Sequence, residues 1–154
     1  MNYNIIVADD DIEFVEEIEA NLSLNGYTVH RASNGQEAVD MAVRLQPDMV
    51  ILDVVMPVLD GFQACKKIRD NPSTSAISVI LLTSQTVGSE KIRGLEIGAD
   101  DFIEKPIDWA EFKARIGSVL RRASQLRDLS PLTNLPGNYR ISNELSALVA
   151  DPSN

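Results

Sequence analysis

The chain is short of cysteine, of positive charge and of long apolar runs. One cysteine, Cys65, occurs in 154 residues. That excludes an intramolecular disulfide and suits a reducing compartment such as the cytoplasm. Cys65 falls in a helical pattern and reads as a small core residue. Fourteen basic residues stand against 23 acidic ones, for a net charge of −9. Residues 121–154 hold four Arg against two Asp and one Glu, a balance of +1, so the first 120 residues carry −10. An acidic surface of this kind is a poor match for nucleic-acid phosphates and a good one for cations or basic partner surfaces. The longest apolar stretches have strand length, well under the roughly 20 residues that a membrane helix requires. The N-terminal residues enter a strand at once, with no basic region or cleavage site, which argues against a signal peptide. Apolar residues make up 44% and charged residues 24%, ordinary for a globular protein with one sizeable core.

Strand and helix patterns alternate five times along the sequence. Short apolar runs at Asn4–Ala8, Tyr27–Arg31, Met49–Leu52, Ser78–Leu82 and Asp101–Ile103 read as strands. Helices are expected over Asp11–Leu24, with Ile12, Val15, Ile18 and Leu22 on one stripe, and after Asn34, with Ala38, Met41, Ala42 and Leu45 inward. Further helices are expected over Phe62–Arg69, Gly88–Ile97 and from an Asp108 cap onward. Asp60-Gly61 reads as a turn. This βα repeat predicts a doubly wound parallel sheet with helices on both faces. In the last helix Trp109, Phe112, Ile116, Val119, Ala123 and Leu126 follow heptad spacing. The part to Leu120 is expected to face the sheet, and Ala123–Leu129 to leave the domain as a helical connector.

The strand ends carry the chemistry. Asp9-Asp10, Asp53, Thr83 and Glu104-Lys105 each follow an apolar run, and parallel sheets bind ligands at the carboxyl ends of their strands. Asp9, Asp10 and Asp53 together would repel, and at least one pKa would rise. A hard divalent cation such as Mg2+, which takes oxygen ligands and favours phosphate oxygens, relieves that repulsion. Lys105 and the Thr83 hydroxyl could each meet a phosphoryl oxygen. A carboxylate can itself accept a phosphoryl group as an acyl phosphate. Taken singly, an Asp-Asp pair is a helix cap, a strand-end Thr is ordinary and a Lys is solvated; five such residues in this order are harder to dismiss.

Asp9-Asp10, Asp53-Val54-Val55-Met56-Pro57, Asp60-Gly61, Thr83, Lys105-Pro106 and the stretch Gly94–Phe102 resemble the receiver domain of two-component response regulators. The likeness spans about residues 3–122. It implies a flavodoxin-like fold with strand order 2-1-3-4-5 and Asp53 as phosphoacceptor for a histidine kinase or phosphotransfer protein. It further implies Mg2+ on Asp10, Asp53 and the Val55 carbonyl, with Asp9 acting through water. Lys105 is expected to pair with Asp53 and then with the phosphoryl group. Thr83 is expected to bond that group with Phe102 turning inward behind it, and Lys105–Pro106 to be cis. Two positions depart from the common pattern: Ser84, where a smaller residue is frequent, and Val55, whose apolar side chain would give attacking water little help.

Lys91, Glu96, Asp100, Asp101, Glu111 and Arg115, with the apolar Ile92, Leu95 and Ala114, match a receiver subfamily that dimerises through helix 4, strand 5 and helix 5. Gly117 replaces a residue that is often basic there. The boundaries expected are a receiver domain over 1–122, a helical linker over 123–130 and a tail over 131–154. Ser130–Asn138 resembles the opening of a diguanylate-cyclase-like (GGDEF) domain, with Ser130 and Gly137-Asn138 departing from its pattern. The chain is read as a phosphorylation-activated switch, not an enzyme, with no direct nucleic-acid or membrane binding. The alternatives are a phosphorylation-independent binding module and a haloacid-dehalogenase-like phosphatase. The second needs an acid two residues after its nucleophile on the first strand; Asp53 is followed at that distance by Val55.

Overall fold

The computed structural model describes residues 2–84 and 88–129. Five strands and five helices alternate: β1 (Asn4–Ala8), α1 (Ile12–Leu24), β2 (Thr28–Ala32), α2 (Gly35–Leu45), β3 (Met49–Asp53), α3 (Gly61–Asp70), β4 (Ser78–Thr83), α4 (Gly88–Ile97), β5 (Asp101–Glu104) and α5 (Trp109–Leu129). All pairings are parallel and the order is β2-β1-β3-β4-β5, as the receiver resemblance implies. Asp53 belongs to β3, and β2 sits one residue later than the sequence pattern places it.

The apolar run of each central strand serves two faces by alternation. Ile6, Ala8, Val50, Leu52, Val79, Leu81 and Phe102 pack with residues of α2 and α3. Ile5, Val7, Met49, Ile51, Ile80, Leu82 and Ile103 pack with Val15, Ile18 and Leu22 of α1 and with Phe112, Ile116, Val119 and Leu120 of α5. Two expected inward residues are not buried. Ile12 is 69% exposed and Leu45 38% exposed. Each stands at a terminal position of its helix, beyond the reach of the sheet. The compact unit ends at Leu120. α5 runs on to Leu129, and Leu126, the last residue of the heptad pattern, is 70% exposed. The tail over 131–154 lies outside the described residues.

The helix starts are written in the sequence. Asp11, Asn34 and Asp60 each accept a backbone N–H of the first turn, and Asp108 accepts those of Ala110 and Glu111 at 3.0 and 3.3 Å. Asp60, read as part of a turn, forms a capping box with Gln63.

One partly buried clasp has no sequence signature. Arg69, near the end of α3, donates from Nε to the Gly98 carbonyl at 2.8 Å and from Nη1 to the carbonyls of Ser75 and Ile77. Its Nη2 lies 2.9 Å from Asp100 Oδ2, which also accepts the Val79 N–H at 2.8 Å. One side chain thereby ties α3, the loop before β4 and the α4–β5 turn. Its removal leaves several carbonyls without their donor and the Asp100 carboxylate without its counter-charge. Arg69→Met is expected to destabilise the fold by roughly 2–4 kcal/mol. Arg69→Lys should recover little of that, because one ammonium cannot span the fork. Urea denaturation followed by circular dichroism checks both.

Candidate phosphoacceptor and metal site

The site stands at the carboxyl edge of the sheet, where β1, β3, β4 and β5 end side by side. Asp9 and Asp53 are 3% and 8% exposed, and Thr83 is 3% exposed, whereas Asp10 is exposed. Backbone ties fix the edge: the Val54 N–H donates to the Leu82 carbonyl at 2.8 Å and the Lys105 N–H to the Thr83 carbonyl at 2.7 Å. The loop after Asp53 folds back so closely that a Cβ on Gly61 would run into the Asp53 carbonyl. Within it Val58 has φ +71°, and the Leu59 N–H donates to the Pro57 carbonyl at 2.7 Å. That is a tight γ-turn centred on a β-branched residue in left-handed backbone, a conformation costing on the order of 1–3 kcal/mol.

Carboxylate oxygens of Asp9, Asp10 and Asp53 all lie within 4.8 Å of one another. Burial pushes the Asp53 carboxyl up to about 6. Asp9 and Asp10 push in the same direction, while Lys105 and the Val55 N–H oppose them. Lys105 Nζ donates to Asp9 Oδ2 at 2.9 Å and stands 3.6 Å from Asp53 Oδ1. Lys105 thus ion-pairs with Asp53, as the sequence reading expects, and holds Asp9 more closely still. Asp53 stands at the end of β3 and Asp9 also accepts the Asp11 N–H at 3.0 Å. Lys105 Nζ further sits 4.2 Å from the centroid of the Phe14 ring, a contact that sequence reasoning missed. The Lys105–Pro106 bond is cis.

An all-oxygen donor set with one carboxyl lifted by burial and by its acidic neighbours fits a hard divalent cation such as Mg2+. Zinc, which prefers nitrogen and sulfur, is a poor fit. Phe102 already lies inward, 6% exposed. The close seat of α4 explains this: a Cβ on Gly94 would stand 3.0 Å from the Phe102 ring and 2.9 Å from Leu81.

The expected dimer surface is divided. Arg115 reaches both Asp101 oxygens at 3.0 Å and Glu111 at 3.0 Å, and these acids hold the guanidinium firmly protonated. Ile92 and Leu95 are 59% and 47% exposed, and Lys91, Glu96 and Ala114 are exposed. Asp100 is exposed as well, and its carboxylate also turns to Arg69 and the Val79 N–H within the fold. A cleft of about 480 Å3 runs along β5, lined by Lys91, Phe102, Lys105, Glu111 and Arg115 among others.

A doubly wound sheet that gathers three carboxylates, a hydroxyl and a lysine at its carboxyl edge defines a class of signal-receiving domain. The family model of the response regulator receiver domain matches residues 5–117. The DNA-binding dual master transcriptional regulator RpaA of Synechocystis sp. is 35% identical over 144 residues, covering 88% of this chain and 60% of RpaA. A putative response regulator from Chloroflexus aurantiacus shares the fold with a TM-score of 0.76 and 36% identity, over 79% of this chain and 100% of that one. The receiver domain of the sensor histidine kinase PA1611 from Pseudomonas aeruginosa was solved with a magnesium ion coordinated in its active-site cleft. It matches with a TM-score of 0.73 and 28% identity, over 79% of this chain and 99% of that one. The chain belongs to the receiver domain family of two-component response regulators. It spans about three fifths of RpaA's length.

The raised Asp53 carboxyl makes stability depend on pH. The folded protein holds the proton up to about pH 6, while the unfolded chain releases it near the ordinary 3.8. Between those values the folded state binds more protons, so stability falls as pH rises through the window. Without divalent cations, Asp53→Asn is expected to raise stability above pH 6 by on the order of 2–3 kcal/mol. Below pH 4 the gain should disappear. Paired urea titrations in EDTA at pH 4 and 7.5 check it.

Proposed function

We propose that this chain is a phosphorylation-activated switch in which Asp53 accepts a phosphoryl group from a histidine kinase or phosphotransfer protein. The observation that carries the reading is a buried carboxylate at the end of the central strand, with two further carboxylates within 4.8 Å and an ammonium at 3.6 Å. At neutral pH a carboxyl lifted to about 6 is still mostly ionised and able to attack. An Asp53 oxygen bonds to phosphorus as the P–N bond of the phosphohistidine breaks, the imidazole leaves with that electron pair, and Asp53 becomes an acyl phosphate. Asp10, Asp53 and the Val55 carbonyl would hold Mg2+, with Asp9 reaching it through water, and the ion would supply charge neutralisation for the phosphoryl oxygens. Lys105 offers a second positive charge to the same oxygens, and the Thr83 hydroxyl a hydrogen bond. Val55, 71% exposed at the rim, brings no acid or base to an attacking water, so the acyl phosphate persists.

In this reading the domain works in the cytoplasm and turns over no substrate beyond its own phosphoryl group. The tail over 131–154 begins a degenerate GGDEF-like output domain, supported by the likeness of Ser130–Asn138 alone. Intact mass after incubation with acetyl phosphate tests the reading. One phosphoryl adduct is expected in the wild type with Mg2+, and none with EDTA or in Asp53→Asn. Failure of the folded, Mg2+-binding wild type to gain the adduct would count against the reading.

The output of this switch is a homodimer through α4, β5 and α5. Support comes from the exposed Ile92, Leu95 and Ala114 beside the Asp101–Arg115–Glu111 ion pairs. Sedimentation velocity should show phosphorylation shifting monomer towards dimer. Ile92→Asp, at a position 59% exposed, should keep the fold and the adduct yet weaken that dimer at least 10-fold. An equal dimer fraction in Ile92→Asp would exclude this surface.

A further inference from the structure

The ammonium of Lys105 is held on three sides. Asp9 Oδ2 accepts it at 2.9 Å, Asp53 Oδ1 stands at 3.6 Å, and the face of the Phe14 ring closes the third side at 4.2 Å from its centroid. Among the described residues Lys105 makes no ion pair with Asp10. The positive charge is therefore parked towards the start of α1, and the exposed Asp10 side of the cluster is left clear of it.

The turn that presents Asp9 also presents Phe14. The Asp11 N–H donates to Asp9 Oδ1 at 3.0 Å, and the Asp11 side chain accepts the Phe14 N–H at 3.3 Å. The ring is partly buried against the core shared by α1 and α5, so its orientation is set by packing. An aromatic face attracts a cation through its quadrupole, and the attraction grows where water is partly excluded. The Lys105 side chain is 21% exposed, which meets that condition.

We propose that Phe14 is a positioning residue that keeps the Lys105 ammonium on the α1 side of the acid cluster. A divalent cation on the Asp10 side and the lysine on the α1 side then neutralise a phosphoryl group from opposite sides, with Asp9 and Asp53 between them. The inference rests on the phosphoacceptor reading of Asp53. Without the aromatic face the long lysine side chain regains rotamers that fall across the cluster. There its charge opposes Mg2+ and leaves the place where a phosphoryl oxygen needs it.

Phe14→Leu keeps an apolar side chain in the same core while deleting the π face; Phe14→Tyr keeps both. The ε-methylene protons of Lys105 should show an upfield ring-current shift by NMR in the wild type and in Phe14→Tyr, and lose it in Phe14→Leu. Calorimetric titration with Mg2+ should show affinity lowered about 2- to 5-fold in Phe14→Leu, the span of an ordinary cation–π contact. The rate of adduct formation from acetyl phosphate at saturating Mg2+ should fall by a similar factor. Both should stay within the wild-type range in Phe14→Tyr. Unchanged Lys105 shifts would overturn the inference. So would altered shifts with unaltered affinity and rate. A wild type that binds Mg2+ and shows the ring-current signature but takes no phosphoryl group would instead sink the phosphoacceptor reading, and with it the role in transfer given to Phe14.

Discussion

Three carboxylates share the carboxyl edge of this sheet, and among the described residues one ammonium answers two of them. Parallel strands buried on both faces stop at the same level, and backbone ties such as Lys105 N–H to Thr83 carbonyl keep their ends in step. The chain ends that present Asp9 and Asp53 cannot move apart without separating β1 from β3. Coulomb repulsion is thereby built into the resting fold, and it adds to burial in lifting the Asp53 carboxyl. The tight loop over Gly61 and the lysine on its aromatic rest are accommodations to that crowding.

Much of this architecture is legible in the sequence, because it is carried by periodicity and by local chemistry. Runs such as Val50-Ile51-Leu52 can only be strands covered on both sides, and Asn34 and Asp108 announce their helices by accepting first-turn amides. The acidic cluster is legible for the same reason: each member immediately follows such a run, and alignment of parallel strands does the rest. Ile12 and Leu45 mark where periodicity misleads. Both fit their stripes, yet each sits at a helix end past the edge of the sheet, where the pattern has nothing left to pack against.

The remaining features depend on residues far apart in the chain. Arg69 meets Asp100 across 31 residues, and Lys105 meets Asp9 across 96. No spacing rule shows that Asp100 turns to Arg69 while its neighbour Asp101 turns to Arg115. Phe14 reads as one more apolar residue on α1 until the lysine is seen above its ring. Val58 shows a different kind of illegibility. A β-branched side chain argues for extended backbone, and the fold-back of the loop onto Gly61 overrides that preference.

The sheet also has two edges, β2 and β5, and both are poor templates for another strand. β5 has four residues and carries a carboxylate at each end, Asp101 and Glu104; β2 presents Thr28, His30 and Arg31 among its five. Short, polar, charge-ended edges resist the strand-to-strand stacking that leads to fibrils. During synthesis the very apolar β3 and β4 leave the ribosome before β5 and α5 exist to cover them. Once β5 is in place the sheet presents only blunt margins.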